Sequence, residues 1–277
     1  MGTPGRSRLD EAMVTHGLAA SRSAARGLIM AGLVSVSGRV TDKAGTPVAA
    51  DAPITLKERP RFVSRAGEKL HHALVVLEVD VAGADALDVG ASTGGFVDCL
   101  LQHGAGRVIA LDVGRGQLDG RLRSDSRVDV LDKVNARYLT PDQLPCRPDL
   151  LTMDVSFISV TKVLPAVVAC LTSSFEGLIL IKPQFEAGPG QVGKGGIVRD
   201  PAIHRKVLVE RGRFVVEVLG VDLLGMCRSG LAGTDGNQEF FIRIGRGREN
   251  GLGLDRLESM VEETLAAKEI STAGAAT

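Results

Sequence analysis

The sequence predicts a doubly wound α/β body with a mostly parallel sheet, preceded by a small basic α+β head. Three observations carry this. From Asp85 onward, short apolar runs alternate with helical segments at the spacing of βα units. A glycine-rich turn stands directly after the first of those runs. The charges also divide unevenly. The 277-residue chain balances 33 Lys and Arg against 33 Asp and Glu, yet residues 1–62 hold nine basic and five acidic residues. That is a net +4 on the head and −4 on the remainder.

In the head, Leu9, Met13 and Val14 recur at helical spacing, predicting a helix over Arg8 to His16 that stops at Gly17. Ser21 is a candidate N-cap for a second helix, Arg22 to Met30, ending near Gly32. Leu33 to Val40 alternates apolar and polar residues around a Ser37-Gly38 turn, and a second short strand is expected at Pro53 to Leu56. The charged, proline-containing stretch Lys57 to Arg61 reads as a linker. This places the head at 1–60, the linker at about 57–63, the body at 64–268 and a flexible, small-residue tail at 269–277.

In the body, strands are expected at Asp85–Val89, Arg107–Val113, Val128–Leu131, Leu150–Asp154 and Gly177–Lys182. Helices are expected from about Gly95 to His103, near Thr161 to Leu171, and over Ala202 to Leu219. Val221–Met226 and Glu239–Ile244 read as a terminal strand pair.

Apolar residues at 44% and charged residues at 24% are ordinary globular values. No apolar run approaches the length of a bilayer span, and no apolar stretch follows the first charges, so a cytoplasmic protein without a membrane anchor is expected. Cys99, Cys146, Cys170 and Cys227 lack the close spacing of a zinc knuckle, and the five histidines form no ligand pattern, so reduced thiols and no metal are expected.

The first βα turn reads Asp88-Val89-Gly90-Ala91-Ser92-Thr93-Gly94-Gly95-Phe96. Glycines allow a ligand close to the backbone, and the helix start offers free N–H groups. This is not the dinucleotide fingerprint. A carboxylate at Asp88 repels a pyrophosphate and suits a cationic ligand, and S-adenosylmethionine carries an ammonium and a sulfonium. Asp112, ending the second strand, stands where an acidic side chain accepts ribose hydroxyls. Asp154 and Lys182 end the fourth and fifth strands and point at the same crevice. A lysine closing the run Leu178-Ile179-Leu180-Ile181 is not placed as a plain surface charge. Desolvation favours an amine's neutral form, which acts as a base.

The ordered set Lys69, Asp154, Lys182 and Glu239 resembles the Lys-Asp-Lys-Glu tetrad of the FtsJ-like ribose 2′-O-methyltransferases. The head, from Arg8-Leu9-Asp10 to Ser35-Val36-Ser37-Gly38, resembles an S4 RNA-binding domain. That combination is similar to the TlyA (hemolysin A-type) rRNA methyltransferases over residues 6–268. The specific blocks are Ala91–Phe96, Asp154-Val155-Ser156-Phe157-Ile158-Ser159 and Lys182-Pro183-Gln184-Phe185-Glu186.

The resemblance implies a Rossmann-like class I methyltransferase sheet, S-adenosylmethionine as cofactor, and 2′-O-methylation of cytidine in 16S and/or 23S rRNA. It implies cofactor contacts from Asp88, Gly90, Ser92, Thr93, Gly94, Gly95, Phe96, Asp112 and Asp154, with Asn135 near the adenine. Lys69, Asp154, Lys182 and Glu239 are the catalytic candidates, and both lysines stay open as the base. Phe96 and Phe157 flank the cofactor motifs, with core packing as the alternative role.

Arg6, Arg8, Arg22, Arg26 and Lys43 are the candidate phosphate contacts of the head. With no Trp and one Tyr, recognition of folded ribosomal RNA by shape and backbone fits better than base stacking. Gly188 to Gly195 nearly matches a P-loop, but the final Ser/Thr is Gly195, so a substrate-facing loop is expected. Where the family often carries a basic residue this chain has Pro189, and Lys194 is the candidate substitute. Two alternatives are a non-catalytic ribosome-assembly factor, against which the intact tetrad speaks, and a membrane-active hemolysin, for which no amphipathic or spanning segment is present.

Overall fold

A computed structural model of the chain describes residues 6–57, 60–188, 190–247 and 254–267. Linker residues Glu58 and Arg59, Pro189 and the tail 269–277 lie outside the described residues. The chain divides into two compact units, Met1–Pro60 and Arg61–Thr277.

The first unit runs β1 (Arg6–Arg8), α1 (Leu9–Thr15), α2 (Arg22–Met30), β2 (Val34–Val36), β3 (Arg39–Val40), β4 (Pro47–Ala49) and β5 (Ile54–Leu56). Leu9, Met13, Ala25, Ile29 and Val34 form its core. Ser21 caps α2, its Oγ accepting from the Ala24 N–H at 3.2 Å. Ser37 and Gly38 both take positive φ, as a two-residue hairpin turn between β2 and β3 requires. The first helix starts at Leu9 rather than Arg8, because Arg8 is extended and pairs with Pro47 of β4. That β1–β4 pair was not foreseen; three-residue strands give too few alternations to read.

The second unit is built on a seven-stranded sheet. In chain order its strands are β6 (Asp85–Val89), β7 (Arg107–Asp112), β8 (Val128–Asp132), β9 (Leu150–Met153), β10 (Phe175–Ile181), β11 (Asp222–Arg228) and β12 (Phe240–Arg246). Their spatial order is β11-β12-β10-β9-β6-β7-β8. β12 runs antiparallel to both β10 and β11, and the other pairs are parallel. The chain winds outward from β6 through β7 to β8, then crosses back to β9. The switch point therefore lies between β6 and β9, where ligands bind in such sheets.

β10 is buried at every position because both of its faces are covered. Ile179 and Ile181 join one core with Leu87, Ile109, Leu151 and Phe240. Leu178 and Leu180 join the opposite core with Ala86, Leu100 and Phe241. The helices that cover the sheet are α3 (Arg65–Val76), α4 (Gly95–Gln102), α5 (Gly120–Arg123), α6 (Leu164–Val168), α7 (Pro183–Glu186), α8 (Pro201–Arg213) and α9 (Leu257–Ala266).

Two expected helices are corrected. The stretch Thr161 to Leu171 is a 3-10 turn, Val160–Lys162, followed by the short α6. Pro165 lacks an N–H and fits only in a first turn, so the helix restarts there. The expected helix to Leu219 is α8 as far as Arg213 and then a π-helical turn, Phe214–Val218. Helices α3 and α9 were not foreseen.

Candidate active site

The site forms where β6, β7, β9 and β10 end. Gly90 follows β6 with φ +87°, and a Cβ there would overlap the Asp154 carbonyl oxygen. Gly94, at φ +95°, faces Leu118 and Leu122, and Gly95 faces Ser64, Ala66 and Gly67 at the start of α3. The Cβ positions of these glycines are thus occupied by protein. They are small chiefly so that the first βα turn can pack against α3 and the Asp154 loop, which refines the sequence expectation that they make room for a ligand.

Two cavities flank this turn. The smaller, about 110 Å³, is lined by Asp88, Gly90, Ser92, Thr93, Gly95, Phe96 and Asp154, among others. Asp88 is buried, and its Oδ1 accepts from the Thr152 hydroxyl at 2.7 Å across the β6–β9 pairing. Its Oδ2 is buried with no partner. Burial pushes the Asp88 carboxyl up to about 7, and the Asp154 and Asp112 charges act in the same direction. A buried carboxylate oxygen with no donor is costly unless a ligand completes it. A cationic amino group is the chemistry that fits, so the residues present suit the ammonium of S-adenosylmethionine.

The larger cavity, about 570 Å³, is lined by Asp112, Asn135, Asp154, Ser156 and Phe157, among others. Asp112 accepts from the Ser92 N–H at 2.8 Å and from the Gly114 N–H at 2.7 Å, which leaves further lone pairs for hydroxyl donors. Asn135 caps a 3-10 turn, its Oδ1 accepting from the Arg137 N–H at 3.1 Å. Phe96 is 2% exposed and packs on Phe241 at 5.9 Å between ring centroids, so it serves the core while its edge lines the smaller cavity.

The four tetrad side chains form two ion pairs. Lys182 Nζ lies 2.5 Å from Asp154 Oδ1, a charge contact rather than a directed hydrogen bond, and donates to Ser156 Oγ at 3.0 Å. Lys69 Nζ donates to Glu239 Oε2 at 2.6 Å, with both residues buried. Asp154 lines both cavities, and Ser156 lines the larger. The Lys182 pair therefore borders both cavities through Asp154, whereas the more buried Lys69 pair lines neither.

Several supporting residues were missed. Glu186, the last residue of α7, is buried. It accepts from Arg211 Nη1 of α8 at 2.6 Å, from Ser159 Oγ at 2.7 Å and from the Val160 N–H at 2.8 Å. This clamps the Asp154–Val160 loop to the segment that carries Lys182. Asn237 accepts from the Val198 N–H and donates to the Gly196 carbonyl, tying the glycine-rich loop to the start of β12. Phe157, expected beside the cofactor motifs with core packing as the alternative, is no core residue: it holds φ +63° and is 90% exposed, with its ring 4.9 Å from that of Phe185. An exposed aromatic in a left-handed conformation is an expense the core does not require. Arg137 and Lys162 line the open groove beside that ring pair.

The P-loop resemblance of 188–195 is not a P-loop in the fold. Helix α7 separates it from β10, and Lys194–Gly196 is a single 3-10 turn rather than a helix start. Among the described residues, no three His, Cys, Asp or Glu side chains gather as a metal site, and no helix is long and apolar enough to cross a membrane.

In the head, Arg6 and Lys43 are exposed. Arg8, Arg22 and Arg26 all reach the carboxylate of Asp10, whose side chain is fully buried. The Arg8 guanidinium holds that carboxyl well below the usual carboxylate range, against the cost of burial.

Residues 62–246 match the FtsJ-like methyltransferase family, and residues 7–54 match the S4 domain. The 16S/23S rRNA (cytidine-2′-O)-methyltransferase TlyA of Mycobacterium tuberculosis is 42% identical over 264 residues, covering 94% of this chain and 98% of the relative. Hemolysin A of Brachyspira hyodysenteriae is 42% identical over 239 residues, 86% of this chain and 99% of the relative. The solved structure of a hemolysin-type protein from Streptococcus thermophilus superposes with a TM-score of 0.70 at 37% identity, covering 94% of this chain and 96% of that one. The two cavities at the switch point, the paired tetrad and these matches lead to one assignment: the chain belongs to the FtsJ-like methyltransferases and carries an S4 domain at its head.

Proposed function

We propose that the chain methylates the ribose 2′-hydroxyl of cytidine in ribosomal RNA, 16S and/or 23S, while the S4 head holds folded RNA. The observation that carries this reading is the Lys182–Asp154 pair, standing where Asp154 lines both cavities at the switch point. When bound, S-adenosylmethionine supplies an electrophilic methyl group on a sulfonium sulfur. Asp88 Oδ2 holds the cationic amino end, Asp112 accepts ribose hydroxyls, and Asn135 borders the adenine.

Lys182, once its ammonium has passed a proton to the paired Asp154 carboxylate, polarises the target 2′-hydroxyl and takes its proton, which is the step a poor nucleophile requires. Asp154 and Ser156 aim the lysine. Lys69, held by Glu239, stabilises negative charge as it develops on the oxygen. The rest is positioning, which the clamped Asp154–Val160 loop supplies. Phe157 and Phe185 offer the target nucleoside an aromatic face at the groove. Acting on ribosomal RNA, the chain would work in the cytoplasm with ribosomal subunits as partners.

The test is to incubate the protein and S-adenosylmethionine with 16S- and 23S-containing subunits that lack 2′-O-methylcytidine, then map new marks by reverse-transcription stops. New marks at cytidine, absent without cofactor, support the reading. A protein that binds subunits and leaves no mark would refute it.

A further inference from the structure

Asp10 occupies an unusual place for a carboxylate in a basic head. It is the second residue of α1, its side chain is fully buried, and three guanidinium groups converge on it. Arg8 grips both oxygens, Nε to Oδ1 at 2.9 Å and Nη2 to Oδ2 at 3.1 Å. Arg26 donates through Nε to Oδ2 at 3.0 Å. Arg22 donates through Nη2 to Oδ2 at 3.4 Å, and its Nη1 pairs with Glu11 at 2.9 Å. The three side chains nonetheless stay 44%, 48% and 52% exposed.

The way each guanidinium is held matters. A guanidinium presents five N–H donors in a rigid plane, with two parallel donors on an edge matching a phosphate. Arg26 spends only its Nε, so both terminal amino groups have no hydrogen-bond partner among the described residues. Arg8 likewise leaves Nη1 free of one. A buried carboxylate cannot swing away, so it fixes side chains that would otherwise sample many rotamers. One negative charge under three positive ones still leaves the cluster cationic.

We propose that Asp10 is a positioning residue for RNA: it fixes Arg8, Arg22 and Arg26 in one cationic cluster and so presents the unspent terminal donors of Arg8 and Arg26, preorganised, to backbone phosphates. This rests on the reading that the head grips RNA. It also makes a prediction of opposite sign to simple electrostatics. Removing a carboxylate from a phosphate-binding face should strengthen RNA binding if the charge sum alone decided affinity. With Asp10 as the organiser, removing it weakens binding.

The experiment measures binding of the full chain to transcribed 23S rRNA by filter retention over a series of KCl concentrations. Asp10→Asn should bind about tenfold more weakly than wild type, as loss of ordered charge-assisted contacts predicts, while cofactor affinity of the body stays unchanged. Equal or tighter binding by Asp10→Asn overturns the proposal. Because Asp10→Asn removes a buried charge, Arg26→Lys is measured beside it. That variant keeps the charge and removes the paired terminal donors, and it should also lose several-fold affinity. Wild-type affinity in Arg26→Lys overturns the proposal even if Asp10→Asn fails to fold. A different result would strike the reading beneath it: if Arg22→Glu with Arg26→Glu leaves affinity and salt slope unchanged, the head does not grip RNA at this face.

Discussion

Gly90 and Asp154 meet across the switch point, with the Asp154 carbonyl oxygen standing where a Cβ on residue 90 would be. The closeness of β6 and β9 at their ends thus depends on a missing side chain. Gly90→Ala must push away the backbone of a residue that lines both cavities. Displacement of a reacting group by about 1 Å costs roughly a hundredfold in rate, and that is the fall in turnover expected. Gly116→Ala is the control. Gly116 also has positive φ but faces open space, so it reports the conformational cost alone. Single-turnover methylation by the two variants separates overlap from strain.

Asp88 predicts a pH dependence for cofactor binding. Its carboxyl titrates near 7 in the folded chain against 3.8 ordinarily, so the folded chain holds this proton more tightly than the unfolded one. Stability therefore declines as pH rises through that window. Cofactor binding behaves oppositely, since the cationic amino group requires the ionised form. Affinity should rise about tenfold per pH unit below roughly 7 and then level off, with proton release on binding. Calorimetry in buffers of different ionisation enthalpy checks this. Asp88→Asn should bind weakly and without that slope.

Lys182→Ala should reduce methyl transfer by about a hundredfold or more while RNA retention by the head stays near normal. Ser156→Ala removes only the orienting hydroxyl, so its turnover should fall by less, about tenfold. Rapid-quench kinetics at saturating cofactor rank the two, and near-normal turnover in Lys182→Ala would remove that lysine from the reaction.

Glu186 and Arg211 predict a dissociation of stability from activity. Breaking a buried ion pair from one side costs about 3–5 kcal/mol, whereas replacing both partners is often tolerated. Glu186→Gln should melt well below wild type. Glu186→Leu with Arg211→Met should recover much of that loss, yet without an acceptor at 186 it no longer clamps the Asp154–Val160 loop. Its kcat should remain low. Recovery of both melting temperature and kcat would make the pair purely structural.

The strand ends were readable because each combines an apolar run with an abrupt charge, as at Ile181-Lys182 and Met153-Asp154. Their convergence followed from topology alone. What was not readable is which charge meets which. Nothing local assigns Lys182 to Asp154 and Lys69 to Glu239, since the latter pair is separated by 170 positions. Arg211 is one of several arginines near α8, and only the fold turns it toward Glu186. The head arginines were read only as phosphate contacts because an aspartate beside Glu11 in the first turn of a helix gives no sign of burial. Helix α9 is a different case: Leu257, Met260, Val261 and Thr264 follow helical spacing and are buried, so its signal was present and passed over.

The Lys69–Glu239 pair links the beginning of the body to its closing strand. A chain emerging from the ribosome makes Lys69 early and Glu239 late. Until β12 docks against β10, Lys69 has no carboxylate, and a lysine in that position is costly to bury alone. Assembly of the proposed reactive centre is therefore coupled to the late part of synthesis. A chain stalled before Glu239 carries the cofactor turn of β6 and the Lys182 loop but an incomplete centre, so partly made copies tethered to a ribosome are expected to leave its RNA unmarked.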